Sequence, residues 1–197
     1  MSAERIYCWR RIDAPGLELL RLAPASSGVE VRSDLIHFGE RPFAIRYRWL
    51  LDEDWSTLSL ELHVRGKEHR TLAIERIGDS AWLVDGRMRS DLDACEEIDL
   101  AVTPFCNTLA LRRFAPPPGG AGTLTALYVS FPDLDLAPSP QRYERLGTHS
   151  FQYVDLGAQC GFEATLELDD DGIVRRYEGL FELLGSAATS TLRKVIE

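Results

Sequence analysis

Phe43-Ala44-Ile45-Arg46-Tyr47-Arg48-Trp49-Leu50-Leu51 is the stretch on which the fold turns. Phe43, Ile45, Tyr47, Trp49 and Leu51 recur at every second position, with Arg46 and Arg48 between them. Side chains that alternate in this way lie on opposite faces of a strand, one apolar and one solvated. The next segment has the same form: Leu58, Leu60, Leu62 and Val64 alternate with Thr57, Ser59, Glu61, His63 and Arg65. The polar turn Asp52-Glu53-Asp54-Trp55 separates the two. Ala81-Trp82-Leu83-Val84 follows between Gly78-Asp79-Ser80 and Asp85-Gly86, and Asp-Gly beside an apolar run is a hairpin signal. Neighbouring strands with short connections form an antiparallel meander.

The second half continues in kind. Thr123 to Phe131 sets Leu127, Val129 and Phe131 on one face, with Leu124 and Tyr128 making the other partly apolar. Phe162, Ala164, Leu166 and Leu168 alternate with Glu163, Thr165, Glu167 and Asp169. Asp169-Asp170-Asp171-Gly172 lacks the ligand spacing of a calcium loop and reads as a type I′ turn into Ile173-Val174. About a dozen strands are expected, with little helix: a short turn capped at Ser90, and a tail from Ser186 to Glu197 that reads as helical or loose. Pro116-Pro117-Pro118-Gly119-Gly120 is a loop with the same strand style on both sides, so residues 1–197 read as one domain. A mainly β chain of this length must curl to protect its edges, which predicts a single antiparallel sheet in a β-roll or incomplete barrel.

Composition narrows the function. The chain carries 31 acidic and 22 basic side chains, a formal charge of −9, which disfavours nucleic acid and anionic membrane surfaces as partners. No run approaches the roughly 18 apolar residues of a membrane span. The opening Met1-Ser2-Ala3-Glu4-Arg5 lacks the pattern of a secretion signal, so a cytoplasmic location is expected. Cys8, Cys95, Cys106 and Cys160 are scattered and read as reduced thiols, and neither they nor the histidines have zinc-site spacing. No cofactor is expected.

The alternation breaks in Ser90–Phe114, SDLDACEEIDLAVTPFCNTLALRRF. Five carboxylates (Asp91, Asp93, Glu96, Glu97, Asp99) precede Thr103-Pro104, Asn107 and the pair Arg112-Arg113. If Arg112 and Arg113 lie in a strand they point to opposite faces, and the inward guanidinium needs an anion. Either a structural salt bridge to Asp93 or Asp99, or the polar head of a ligand, meets that need.

This block carries a family resemblance. Cys8-Trp9-Arg10, Trp82-Leu83-Val84-Asp85-Gly86, Leu92-Asp93-Ala94-Cys95, Ile98-Asp99-Leu100, Thr103-Pro104-Phe105, Asn107-Thr108-Leu109 and Leu111-Arg112-Arg113, extended by Gln141-Arg142-Tyr143 and Asp171-Gly172-Ile173-Val174, resemble the bacterial proteins called "putative glycolipid-binding". Ala94, Cys106 and Ala110 stand where that pattern has Gly, Thr and Pro. The resemblance implies a curled β-roll similar to bacterial lipoprotein carriers and mycobacterial lipid-binding lipoproteins, and by its name a glycolipid ligand. It implies no catalytic residues.

The expected function is therefore non-enzymatic binding of an amphipathic small molecule or glycolipid, without stable membrane insertion, by a monomer or homodimer. Apolar walls come from faces such as Phe43–Leu51, with Trp82, Tyr128 and Tyr143 as amphipathic rings near the opening. Arg112 or Arg113, with Asp99, Asn107 and Gln141, meets the polar head. Two alternatives stay open. One is a hydrolase using Asp93 and Asp99 as acid and base with Cys95 as nucleophile, although no nucleophile elbow, zinc-binding helix or phosphate loop is present. The other is an interaction module that dimerises through a sheet edge.

Overall fold

The computed structural model describes residues 3–188, and the alternating segments become strands with alternating burial. The first half is a meander of β1 (Arg5–Arg11), β2 (Gly16–Ala25), β3 (Gly28–His37), β4 (Phe43–Leu51), β5 (Thr57–Arg65), β6 (His69–Ile77), β7 (Ala81–Val84) and β8 (Arg87–Met88). A 3-10 turn at Ser90–Leu92 leads to β9 (Glu97–Leu100) and the helix α1 (Phe105–Phe114). The second meander is β10 (Ala121–Val129), β11 (Leu136–Arg145), β12 (Ser150–Asp155), β13 (Glu163–Leu168), β14 (Val174–Tyr177) and β15 (Phe181–Ala188). Pairing of β1 with β15 joins the halves into one 15-stranded sheet with β8 and β9 at its ends. The sheet is antiparallel apart from β9 and β10, whose parallel pairing requires the crossover that α1 supplies.

The fifteen strands among the described residues exceed the dozen or so that alternation suggests, in part because β8 and β9 are too short to show a period. Asp85 (φ 48°) and Gly86 (φ 74°) both take left-handed conformations, as the type I′ hairpin between β7 and β8 requires. The turn at Asp169–Gly172 is a correction: Gly172 has positive φ but Asp171 does not. The Asp169 carboxylate instead accepts from the amides of Asp171 and Ile173 at 3.0 and 2.8 Å, a side-chain turn of the kind aspartate favours. The expected loose tail is β15 as far as Ala188, and the rest of it lies outside the described residues.

The sheet curls around α1 without closing into a barrel. Side chains bridge the gap between its ends: Trp82 Nε1 donates to the Cys95 carbonyl at 3.1 Å, and Arg76 Nη2 donates to the Glu96 carbonyl. Glu97 reaches from β9 to Thr57 of β5, accepting from its amide at 3.2 Å and from its hydroxyl. The buried Arg76 guanidinium stands 3.7 Å from the Glu97 carboxylate.

Every side chain of α1 from Phe105 to Leu111 is buried. Phe105, Cys106 and Leu109 pack into the larger core with Trp9, Trp49 and Trp82, while Ala110 and Leu111 join a second core with Tyr143, Tyr153, Leu166 and Tyr177. The helix is a plug between two cores, hence buried on all sides from Phe105 to Leu111. Its start is set by Pro104 and by the Thr103 hydroxyl, which accepts from the Phe105 amide at 3.2 Å. Its end follows from Ala115, extended ahead of Pro116. Arg112 and Arg113 thus occupy the last turn of a helix, beside its C-terminal dipole, and not a strand with one inward face. The strand reading fails because a helix buried all round has no amphipathic period to reveal it.

Candidate functional site

Four strands converge beside the plug. Ser139, Gln141 and Tyr143 of β11 alternate onto the inner face, as do Phe151, Tyr153 and Asp155 of β12. Gln141 pairs with Asp155, and Tyr143 with Tyr153. Asp99 of β9 lies in register with Tyr128 of β10. From within the roll, α1 contributes Asn107.

Asp99, Asn107, Tyr128, Tyr153 and Asp155 border a cavity of about 470 Å³. Its deep wall is buried: Phe43, Leu100, Val102, Thr103, Asn107, Tyr153, Asp155, Tyr177 and Phe181. The rim is partly exposed and includes Arg11, His37, Phe131, Gln159, Phe162 and Leu180. Depressions of similar volume elsewhere are lined by surface charges, one among Arg41, Lys67, Glu68, Arg70 and Asp133, another among Arg21, Arg32, Arg46, Arg48 and Glu61. A concave lining that combines several aromatic rings with a few convergent polar groups is the mark of a small-molecule site.

The polar groups form a directed chain. Asn107 Nδ2 donates to the Tyr143 hydroxyl at 3.1 Å, and that hydroxyl donates to Gln141 Oε1 at 3.0 Å. Gln141 Nε2 then donates to Asp99 Oδ2 at 2.6 Å. Across the site Asp155 accepts from the Gly157 amide at 2.7 Å and from the Tyr153 hydroxyl at 3.3 Å. Tyr128 and Gln159 both line this side of the cavity. Burial pushes the Asp99 carboxyl up to about 6; the bond from Gln141 opposes this and the charge of Asp155 adds to it. Burial, reinforced by Asp99, raises Tyr128, Tyr143, Tyr153 and Tyr177, which keeps them as neutral hydroxyls. Burial and nearby Arg11 lower the His37 imidazole, whose buried Nδ1 has no hydrogen-bond partner among the described residues.

Of the residues singled out in the sequence, Asp99, Asn107 and Tyr128 line the cavity, with Gln141 and Tyr143 immediately behind them in the hydrogen-bonded chain. The other three lie elsewhere. Trp82 is buried at the seam between the sheet ends, with the Arg76 guanidinium 4.3 Å over its ring. Arg112 stacks 3.8 Å over Trp55 and donates to the Asp171 carbonyl. Arg113 donates to the Ser56 hydroxyl at 3.0 Å. Neither arginine is buried or paired with Asp93 or Asp99. Asp93 is exposed and Cys95 is buried away from the cavity, its thiol pushed up to about 11 by burial, so the two do not converge on Asp99. All four cysteines are free thiols.

Sequence reading missed Asp155, Tyr153, Tyr177, Arg11 and His37. The available signal was Phe151-Gln152-Tyr153-Val154-Asp155, where alternation carries a carboxylate onto the apolar face. Glu18 gives the same signal among Leu20 and Leu22 of β2. It is a buried carboxylate accepting from Ser33, Tyr47 and Thr103 at 2.7, 2.8 and 2.6 Å, and it ties β2, β3 and β4 to the segment that starts α1.

Fold and cavity together define a class: an open β-roll, plugged by a helix, with a cavity beside the plug. The chain belongs to the family described as "Putative glycolipid-binding", whose model matches residues 6–182. It is similar to the crystal structure of a DUF1089 family protein from Pseudomonas aeruginosa, with 31% identity and a TM-score of 0.77 over 85% of this chain and 91% of that one. It also resembles a β-barrel-like protein of the domain of unknown function DUF1849 from Brucella abortus, with a TM-score of 0.56 over 95% and 98% of the two chains. Identity there is 9%, so the likeness is one of fold. No functionally curated protein matches the sequence. Among the described residues no helix is long and apolar enough to cross a membrane.

Proposed function

We propose that the protein binds, without catalysis, an amphipathic ligand whose head is uncharged and rich in hydroxyls, a glycolipid-like molecule, in the cavity beside α1. The observation that carries this reading is that two carboxylates, Asp99 and Asp155, line one cavity together with the rings of Tyr128, Tyr153, Phe162, Tyr177 and Phe181. Carboxylates accept strongly from hydroxyls, and the hydrogen-bonded chain behind Asp99 fixes its orientation. Tyr153, Tyr177, Phe162 and Phe181 offer ring faces to the apolar side of a sugar or the start of an alkyl chain. A phosphate head is disfavoured, because two carboxylates would meet it at close range in a medium of low dielectric. A cavity of about 470 Å³ suits a head group and a short length of chain.

The test is calorimetric titration with octyl glucoside, below its micelle concentration, against a phosphocholine surfactant of equal chain length. The glucoside is expected to bind, the phosphocholine at least tenfold more weakly, and Asp155→Ala to lose at least tenfold in glucoside affinity. No heat from the glucoside, or equal binding of both surfactants, would overturn the reading. Native mass spectrometry of the freshly purified protein, with organic extraction of any adduct, then identifies the ligand class.

A further inference from the structure

The hydrogen-bonded chain beside the cavity has a fixed direction, and that direction leaves one end unused. Asp99 Oδ2 accepts from Gln141 Nε2 at 2.6 Å, so Gln141 presents Oε1 to the Tyr143 hydroxyl. A hydroxyl has one proton to give. Having given it to Gln141, Tyr143 accepts from Asn107 Nδ2 at 3.1 Å. The orientation of the Asn107 amide follows, and its Oδ1 accepts from no group among the described residues. Asn107 is 4% exposed and lines the cavity. Among the described residues, His37 Nδ1 alone is a side-chain polar atom both enclosed by protein and without a partner. Asn107 Oδ1 is therefore open to the space its residue lines.

The Tyr177 hydroxyl is in the same state. Tyr177 is 7% exposed, and its ring is held among those of Tyr153, Phe162 and Phe181, with centroids 5.8, 6.1 and 6.1 Å away. Its hydroxyl has no hydrogen-bond partner among the described residues, yet it is not enclosed by protein. Burial, with the charges of Asp99, Tyr143 and Asp155, holds it as a neutral hydroxyl. Those charges place it on the carboxylate side of the cavity, where it can donate as well as accept.

Buried polar groups are almost all hydrogen-bonded, so free ones beside a cavity mark where a partner from outside the chain is met. Two such groups, from β14 and α1, share a lining with Asp99 and Asp155. A ligand displaces water from them without loss only if it reproduces the bonds that water makes. A sugar hydroxyl does so, since it both donates and accepts. An ether oxygen or a quaternary ammonium cannot donate to Asn107.

We propose that Tyr177 and Asn107 are head-group contacts that give the cavity its preference for a sugar. Tyr177 donates to one ring hydroxyl, and Asn107 Oδ1 accepts from a ring hydroxyl. The inference rests on the proposed binding of a hydroxyl-rich head at Asp99 and Asp155, and adds the contacts by which such a head is told from a single alcohol.

Tyr177→Phe removes the hydroxyl and keeps the ring. No protein group bonds to that hydroxyl, so the melting temperature of the variant is expected to equal or exceed the wild type's. Its affinity for octyl glucoside, measured by calorimetry, is expected to fall about tenfold. Octyl glucosides lacking one ring hydroxyl locate the contact: one of them is expected to bind wild type and variant equally, while the others keep the tenfold gap. The same comparison serves Asn107→Ala, whose lost bond to Tyr143 lowers stability whatever the ligand.

A Tyr177→Phe protein that binds octyl glucoside as tightly as the wild type overturns this contact and leaves the cavity reading in place. A lowered melting temperature, or a gap that persists for every deoxyglucoside, overturns it too, because the hydroxyl would then act through the protein. A gap that persists for every deoxyglucoside with Asn107→Ala removes Asn107 from the contacts. Wild-type protein that takes up no glucoside sinks both readings, so the wild-type titration alone separates the two failures.

Discussion

Asp99 concentrates the chemistry of the site in one residue. It sits at the end of a donated chain from Asn107 through Tyr143 and Gln141, and burial lifts its carboxyl to about 6. A folded-state value above the unfolded one means that the native protein holds an extra proton between roughly pH 4 and pH 6. Stability contributed by this group is thus present at low pH and lost as the pH rises through that window. Above that window the raised carboxyl costs the native protein roughly 2–3 kcal/mol. Asp99→Asn keeps an acceptor for Gln141 and removes the titration. Its melting temperature is expected to exceed the wild type's at pH 7.5 and to converge with it near pH 4; an equal difference at both pH values would contradict the buried, titrating carboxyl. Asp99, Asn107, Gln141 and Tyr143 were legible because the family block singles them out. Asp155 was not, since one carboxylate on a strand reads as solvated until the neighbouring strands enclose it.

At the scale of elements, α1 is the feature the sequence hid. Its residues have reasonable helix propensity, yet burial on every side removes the 3.6-residue period. Energy in this helix resides in the packed residues and not in the two arginines that first draw notice. Leu109 is fully buried in the larger core, and Leu109→Ala is expected to cost about 3 kcal/mol through the cavity it leaves. Arg112→Ala and Arg113→Ala are each expected to cost under about 1 kcal/mol, the range of an exposed cation–ring contact or surface hydrogen bond. Urea denaturation of the three variants separates these values. A loss of 3 kcal/mol or more at either arginine would restore the buried pair that the strand reading expects.

For the whole molecule, the decisive feature is a curled sheet whose ends are stitched by side chains and not by a backbone ladder. Arg76 and Glu97 are the buried pair in that seam, with side chains 6% and 2% exposed. Arg76→Ala would leave Glu97 buried without its cation, beside the hydroxyl and amide of Thr57. Breaking a buried pair in this way is expected to cost about 3–5 kcal/mol. Hydrogen exchange is expected to quicken first in β7 and β9, ahead of the β2–β4 ladder. Uniform loss of protection over the sheet would show that the seam and the ladder open as one unit.

The sequence by itself determined the strands, because a side-chain period of two is a local property that survives without knowledge of partners. It also determined the mainly β fold, the Asp85-Gly86 hairpin and, through the resemblance of its central block, the family. The tertiary structure decided what depends on contacts distant in sequence. The parallel crossover turned a broken pattern into a buried helix, and the pairing of β1 with β15 joined the two meanders. The curl of the sheet then gathered Asp99, Asn107, Gln141 and Asp155 from four elements around one cavity. Periodicity reports which face a side chain takes; only the closing of faces on one another fixes what it meets there.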